Sequence, residues 1–347
     1  MCKSVRIVVL AILLVTLVGA HAVMAGGRAE PDVADEVLLG GVPTYLDRFD
    51  SFLLYSRGME EKLDNLGVPY RYVLRAPPGG FSDHQGQRNI FDDMLALGAD
   101  IIMTLPTSNE AQHESIRVIV DEYEVPLVIT DYLDYAPGLS PPQNDHLVFF
   151  ASYRHSDMGQ AVADYVAANY PRGTKMAMIK GLPGVISEER ASDDLHIANG
   201  MEIVYEHYAD FNRELAYQAA ENLLAARDDV ELILGMNSTM AIGIVRAVEE
   251  AGMADQVDVI GFGGVIEELE AVAAGRMKAT AGRNHFAVGE FMADVVIAYR
   301  EGRLNELPKT FAAPITVYDS AEAIAADIDP RYFEMFSDEL LEAIGQK

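Results

Sequence analysis

The 347-residue chain has no tryptophan and a single cysteine, Cys2. One cysteine allows no internal disulfide, so stability has to come from packing, which a chain of this length can supply. The missing tryptophan argues against an aromatic cage around a cationic osmolyte. Basic residues are scarce, with 26 Lys and Arg against 54 Asp and Glu and a net charge of −28. Such a surface repels phosphate backbones and anionic headgroups, which excludes nucleic acid as a partner. A DNA-binding regulator would in addition open on a helix-turn-helix, and none is present. Motifs that carry chemistry are absent too: there is no G-x-S-x-G, no P-loop and no H-E-x-x-H. Gly79-Gly80 and Gly261-Phe262-Gly263-Gly264 lack the spacing of a dinucleotide fingerprint and read as tight turns after strands. The histidines at 84, 113, 146, 155, 196, 207 and 285 form no metal-ligand spacing. No cofactor or metal is expected, and a carbohydrate-active enzyme would need a nucleophile or metal that this chain does not offer.

Long apolar runs are rare, and the longest stands near the start. Lys3 and Arg6 precede the stretch Ile7 to Ala20, and small-residue sites follow at Ala20-His21-Ala22 and Val23-Met24-Ala25. That pattern predicts a secretory signal peptide over residues 1–25 and a periplasmic destination. An uncleaved anchor is the alternative, but the stretch falls short of the roughly 20 residues a spanning helix needs. Cys2 lies before the apolar stretch and is not placed as a lipoprotein cysteine.

From residue 36 onward, short apolar runs alternate with segments of helical period, the signature of βαβ units. Val37 to Thr44, Tyr70 to Arg75, Ala99 to Pro106 and Pro126 to Tyr132 read as buried strands. Leu147 to Ser152, after a Pro-rich loop, begins a second series. That series continues through Lys175 to Gly181, Ile203 to Asp210, Glu231 to Asn237, Val257 to Gly264 and Ala279 to Arg283. Two such series predict an α/β protein of two doubly wound parallel-sheet lobes.

Ligands of these sheets bind beyond the carboxyl ends of the strands, which selects the candidate site residues. After the first strand come Tyr45, Asp47, Phe49, Asp50 and Phe52, and after the fourth Asp131 and Tyr132. A loop leads to Arg190, and the later strands end at Asn237 with Ser238, at Phe262 with Gly263, and at Arg283 with Asn284. Arginine forks, carboxylates, an amide and rings suit a polyol or sugar better than a reaction centre. The competing reading makes Phe49, Phe52 and Phe262 core residues and Asp131 a helix cap.

The run Asn237-Ser238-Thr239-Met240-Ala241-Ile242-Gly243, then Val257 to Gly264, Ala274-Gly275-Arg276-Met277 and Ala279 to Arg283, resembles type I periplasmic sugar-binding proteins of the ribose class. The similarity extends over most of residues 36–320. Within that class the chain resembles LuxP-type receptors for autoinducer-2, through Met59 to Tyr70 and through Ile186-Ser187-Glu188-Glu189-Arg190. The resemblance implies that Arg190 and Arg283 reach the ligand, that Asn237 or Ser238 bonds it, that Phe262 covers a face and that Asp131 accepts from ring hydroxyls. Ribose-class proteins usually carry Asp where this chain has Gly263. Two arginines without that Asp point to a furanosyl signal or an anionic sugar derivative rather than a plain pentose or hexose.

The family topology implies one lobe of 36–150 plus 281–308 and another of 151–280 plus 309–347. The three-stranded hinge would lie near Ser152, Gly282 and Pro308 to Lys309. Closure by hinge bending would complete the contacts from both sides. The partner implied is an ABC permease or a sensor histidine kinase, with a plain monosaccharide importer as the alternative role.

Overall fold

The computed structural model describes residues 36–46, 51–132, 135, 138–183 and 192–347. The expected signal peptide, and Asp47, Phe49, Asp50 and Arg190 among the expected site residues, lie outside the described residues.

Among the described residues twelve strands form two six-stranded sheets. The first contains β1 (Val37–Val42), β2 (Tyr70–Leu74), β3 (Ile101–Thr104), β4 (Leu127–Thr130), β5 (Val148–Ser152) and, from far along the chain, a strand at Thr310–Ala312. The second contains β6 (Lys175–Lys180), β7 (Glu202–Tyr208), β8 (Leu232–Gly235), β9 (Asp258–Gly263) and β10 (Ala279–Arg283). With Thr310–Ala312 as β11, the last strand is β12 (Ile315–Tyr318), also in the second sheet. The spatial orders are β2-β1-β3-β4-β5-β11 and β7-β6-β8-β9-β10-β12. Every pairing is parallel except the antiparallel β10–β12 pair.

The chain thus builds the two α/β lobes that the alternation predicts. Both faces of a parallel sheet are covered, so inner strands read as continuous apolar runs, and β1, β3, β4, β5 and β8 are buried along their whole length. The edge strands β2 and β7 are partly exposed. One strand departs from its expected place. Val148–Ser152 closes the first series instead of opening the second, because Leu127 to Thr130 pair with Val148 to Ala151 and the whole strand is buried there. The chain passes to the second sheet between Ser152 and Lys175, returns between Arg283 and Thr310, and crosses again between Ala312 and Ile315. Among the described residues no helix is long and apolar enough to cross a membrane.

The helix that follows β1, Ser51–Leu66, packs along the helix after β10, His285–Arg300. Their axes approach closely where Gly58 faces Phe286 and Gly289 faces Tyr55. A Cβ at Gly58 would stand 2.7 Å from the Phe286 carbonyl oxygen, and one at Gly289 would overlap the carbonyl oxygen of Tyr55. This approach anchors the stretch that leaves the second sheet onto the first lobe. Gly289→Val should therefore cost about 1–3 kcal/mol through overpacking and lower the thermal midpoint by several degrees. An unchanged midpoint by circular dichroism would show that the two helices tolerate a wider separation.

Candidate functional site

The carboxyl ends of both sheets face one another, and side chains from the two lobes meet there. Arg283, the last residue of β10, is 4% exposed. Its Nε donates to Tyr55 Oη at 3.0 Å, its Nη2 donates to the same oxygen, and Nη2 lies 3.4 Å from Asp131 Oδ1. The guanidinium carbon sits 4.2 Å from the centre of the Tyr153 ring. Burial opposes the cation, but Tyr55, Tyr153 and the Asp131 carboxylate outweigh it and hold its pKa above the ordinary arginine value. Burial likewise lifts the Tyr55 hydroxyl well above its usual range, with Arg283 pulling the other way.

Asp131 follows β4 in the left-handed region, at φ 62°. A non-glycine residue held there stores strain and needs partners that fix it. His155, which begins the first helix after the crossing, supplies one: its Nε2 donates to the Asp131 carbonyl at 2.8 Å. His285, two residues beyond Arg283, is fully buried. Its ring stacks on Tyr55 at 5.6 Å, Nδ1 lies 2.6 Å from Tyr332 Oη and Nε2 lies 3.3 Å from Ser51 Oγ. Burial and then the Arg283 charge push its pKa well below the ordinary imidazole value, so it is neutral.

A second contact between lobes is aromatic. Phe81 lies 5.0 Å from Tyr45 on its own side and 5.0 Å from Phe211, just after β7. Asp210 and Phe211 both have positive φ, 49° and 54°, and that turn lays the Phe211 ring against Gly181.

In the second lobe, Asn237 caps the helix Ser238–Glu250, its side chain accepting from Met240 N at 2.9 Å. Ser238 opens that helix and its Oγ donates to Glu268 Oε2 at 2.8 Å. The same Oε2 accepts from Thr280 Oγ1 at 2.9 Å and from Gly264 N at 2.8 Å. Glu268 is fully buried, and its Oε1 has no hydrogen-bond partner among the described residues. Burial raises its pKa to about 7, against the hydrogen bonds that lower it. Gly263 leaves the room for this arrangement, because a Cβ there would overlap Ser238 Oγ and stand 3.2 Å from Glu268 Oε2.

Arg283 and Asp131 therefore meet across the lobes, and Asn237, Ser238 and Gly263 form a neighbouring group. Phe52 and Phe262 do not join either set. At 0% and 1% exposure they pack in the cores of the first and second lobes. Their apolar neighbours along each element claim them for packing, as the competing reading had it. Tyr55, Tyr153, Phe81, Phe211 and Glu268 were not singled out from sequence. Phe211 stands immediately beyond the run Ile203 to Asp210, so the strand-end rule alone would have found it. Glu268 stands in the first turn of the helix Ile266–Ala273 beside Glu267, where carboxylates are ordinary, so nothing in the sequence marks it as buried.

A family model described as periplasmic binding protein domain matches residues 48–304. The chain belongs to that family. This periplasmic binding protein is 26% identical over 244 residues to the ribose import binding protein of Haemophilus influenzae, covering 69% of this chain and 77% of that one. The D-allose-binding periplasmic protein of Escherichia coli is 25% identical over 268 residues, covering 73% and 82%. Among solved structures, the Caulobacter myo-inositol binding protein bound to myo-inositol superposes with a TM-score of 0.72 at 24% identity, covering 89% of this chain and 100% of that one. A solute-binding protein from Agrobacterium vitis with bound D-fucose gives 0.73 at 19% identity, covering 86% and 100%. These two likenesses concern the fold.

Two buried groups of this binding protein set opposite pH dependences. His285 has a depressed pKa, so below the ordinary value of about 6.5 the unfolded chain takes up a proton that the folded chain refuses, and stability falls as pH falls. Glu268 has a raised pKa, so between about 4.5 and about 7 the folded chain holds the extra proton and stability falls as pH rises. In urea titrations, His285→Gln should lower the slope of stability against pH below 6.5 by up to one proton, about 1.4 kcal/mol per pH unit. Glu268→Gln should raise the slope between 4.5 and 7 by a similar amount. Slopes unchanged in both variants would mean that neither group is held as described.

Proposed function

We propose that this protein is an exported receptor that closes on a neutral monosaccharide or cyclic polyol and presents the closed form to an ABC importer. The observation that carries this reading is the state of Arg283. Its charge is paired with Asp131 and Tyr55 takes two of its five N–H donors, so it brings no spare positive charge to the cleft. Sequence alone favoured a furanosyl signal or an anionic sugar because it counted two arginines and found Gly263 where ribose-class proteins usually carry Asp. Arg190 lies outside the described residues, and Arg283 is spoken for. Around the strand ends stand instead the hydroxyl of Ser238, the amide of Asn237, the carboxylate of Asp131 and the rings of Phe81 and Phe211, groups that suit the hydroxyls and C–H faces of a sugar.

Relatives named for ribose and D-allose, and structural neighbours holding myo-inositol and D-fucose, support the same ligand class. They favour the plain monosaccharide role over the autoinducer-2 role. In this reading the lobes hinge at the three crossings, Phe81 and Phe211 meet over the ligand, and closure completes contacts that neither lobe makes alone. The nominated ligand contacts are Asp131, Asn237, Ser238 and Phe211, with Arg190 carried over from the resemblance and Asp47 and Phe49 from their place after the first strand.

Calorimetry on the mature protein should find a neutral sugar or polyol among D-ribose, D-allose, D-fucose and myo-inositol bound at least ~10-fold more tightly than D-galacturonate or borate-loaded autoinducer-2. The reverse preference would overturn the neutral-ligand reading.

A further inference from the structure

Ser238 stands at the junction of three strand ends in the second lobe. It stands at the first turn after β8, beside Gly263 at the end of β9, and shares an acceptor with Thr280 of β10. That acceptor is Glu268 Oε2, which lies behind it in the lobe interior.

A serine hydroxyl has one proton to give and two lone pairs to offer. The proton of Ser238 is committed inward, to Glu268 at 2.8 Å with a longer 3.5 Å approach to the Phe262 carbonyl. Its remaining lone pairs are therefore turned away from the carboxylate. Oε2 also takes Thr280 Oγ1 and the Gly264 amide, whereas Oε1 has no partner among the described residues and lies over Gly261. This lopsided arrangement makes the orientation independent of ionisation. A proton taken up by Glu268 resides on Oε1 and leaves every donor on Oε2 in place.

We propose that Ser238 recognises one ligand hydroxyl strictly as a hydrogen-bond acceptor, and that Glu268 is the positioning residue that fixes it in that role. The proposal rests on the neutral-polyol reading of the cleft and adds to it a specificity determinant. A ligand must offer an O–H at this point. An ether, carbonyl or deoxy position there leaves Ser238 unpaired, and buried polar groups discriminate most strongly against ligands that leave them so.

The test uses whichever of D-ribose, D-allose and myo-inositol binds the wild-type protein most tightly, together with its mono-deoxy and mono-O-methyl derivatives. In the wild type, one ring position should lose roughly tenfold in affinity on either change. Ser238→Ala should bind the parent compound roughly tenfold more weakly and show no further loss at that one position, while keeping the losses at the others. Glu268→Gln, which retains an acceptor oxygen where Oε2 lies, should keep the wild-type pattern. Glu268→Leu should show the Ser238→Ala pattern, and the double variant should bind no more weakly than the single ones. Thermal melts of all variants report that the fold is intact, and Ser238→Ala, which removes one exposed-side hydroxyl, carries the test if Glu268→Leu does not fold. Absence of binding to all three parent compounds by the wild type would overturn the polyol reading and this inference with it. Binding by the wild type with an unchanged positional pattern in Ser238→Ala would overturn this inference alone.

Discussion

A guanidinium buried between two lobes is the constraint from which much of the cleft follows. Removing a cation from water costs several kcal/mol unless the interior returns charge and hydrogen bonds in good geometry. Arg283 belongs to the second sheet, but its partners Tyr55 and Asp131 belong to the first lobe, so its solvation depends on the two lobes lying together. The demand propagates. Asp131 sits in a left-handed conformation held by His155, and His285 stays neutral beside the cation with its nitrogens near Tyr332 and Ser51. The first and second crossings both run through this cluster, so hinge and site share residues.

The second buried charge is handled differently. No basic side chain contacts Glu268 among the described residues, and what stabilises its carboxylate is a set of hydroxyl and amide donors on one oxygen. Hydrogen bonding to the charged form opposes desolvation but does not overcome it here, which leaves the pKa near neutrality, at about 7. The contrast has a functional meaning. Arg283 links the lobes through an ion pair, whereas Glu268 works inside one lobe and fixes the backbone and hydroxyls where β8, β9 and β10 end.

The architecture was legible in sequence because a parallel sheet writes itself as apolar runs at βαβ spacing, and strand ends locate a cleft without any knowledge of the ligand. That rule also nominated Arg283, Asp131, Asn237 and Ser238, which the fold places at the strand ends. Its limits are physical. Position after a strand does not say which way a ring points, so Phe52 and Phe262 looked like site residues although their elements bury them in the cores. Nor does it reveal a partner, so Arg283 looked like a free cation because Tyr55 lies 228 residues away in sequence. The strand at Val148–Ser152 was assigned to the wrong series for a related reason. A Pro-rich loop resembles a boundary, but only burial against β4 decides which sheet a strand joins.

These contacts also bear on how the clamp uses a ligand. A ligand shifts an open–closed equilibrium only by its different affinity for the two states, and affinity is reduced by the fraction of molecules that are not binding-competent. A neutral polyol exchanges hydrogen bonds with water for hydrogen bonds with protein, at a net gain of about 0.5–1.5 kcal/mol each, so it has little to spend on moving lobes. Here the Arg283 contacts to Tyr55 and Asp131 and the Phe81–Phe211 ring contact join the lobes through protein groups alone. If the lobes close on a ligand as proposed, part of the free energy of closure resides in the protein, and more of each ligand hydrogen bond remains for affinity and discrimination. An anionic ligand would gain less from this design, because its natural partner is already bound to an aspartate.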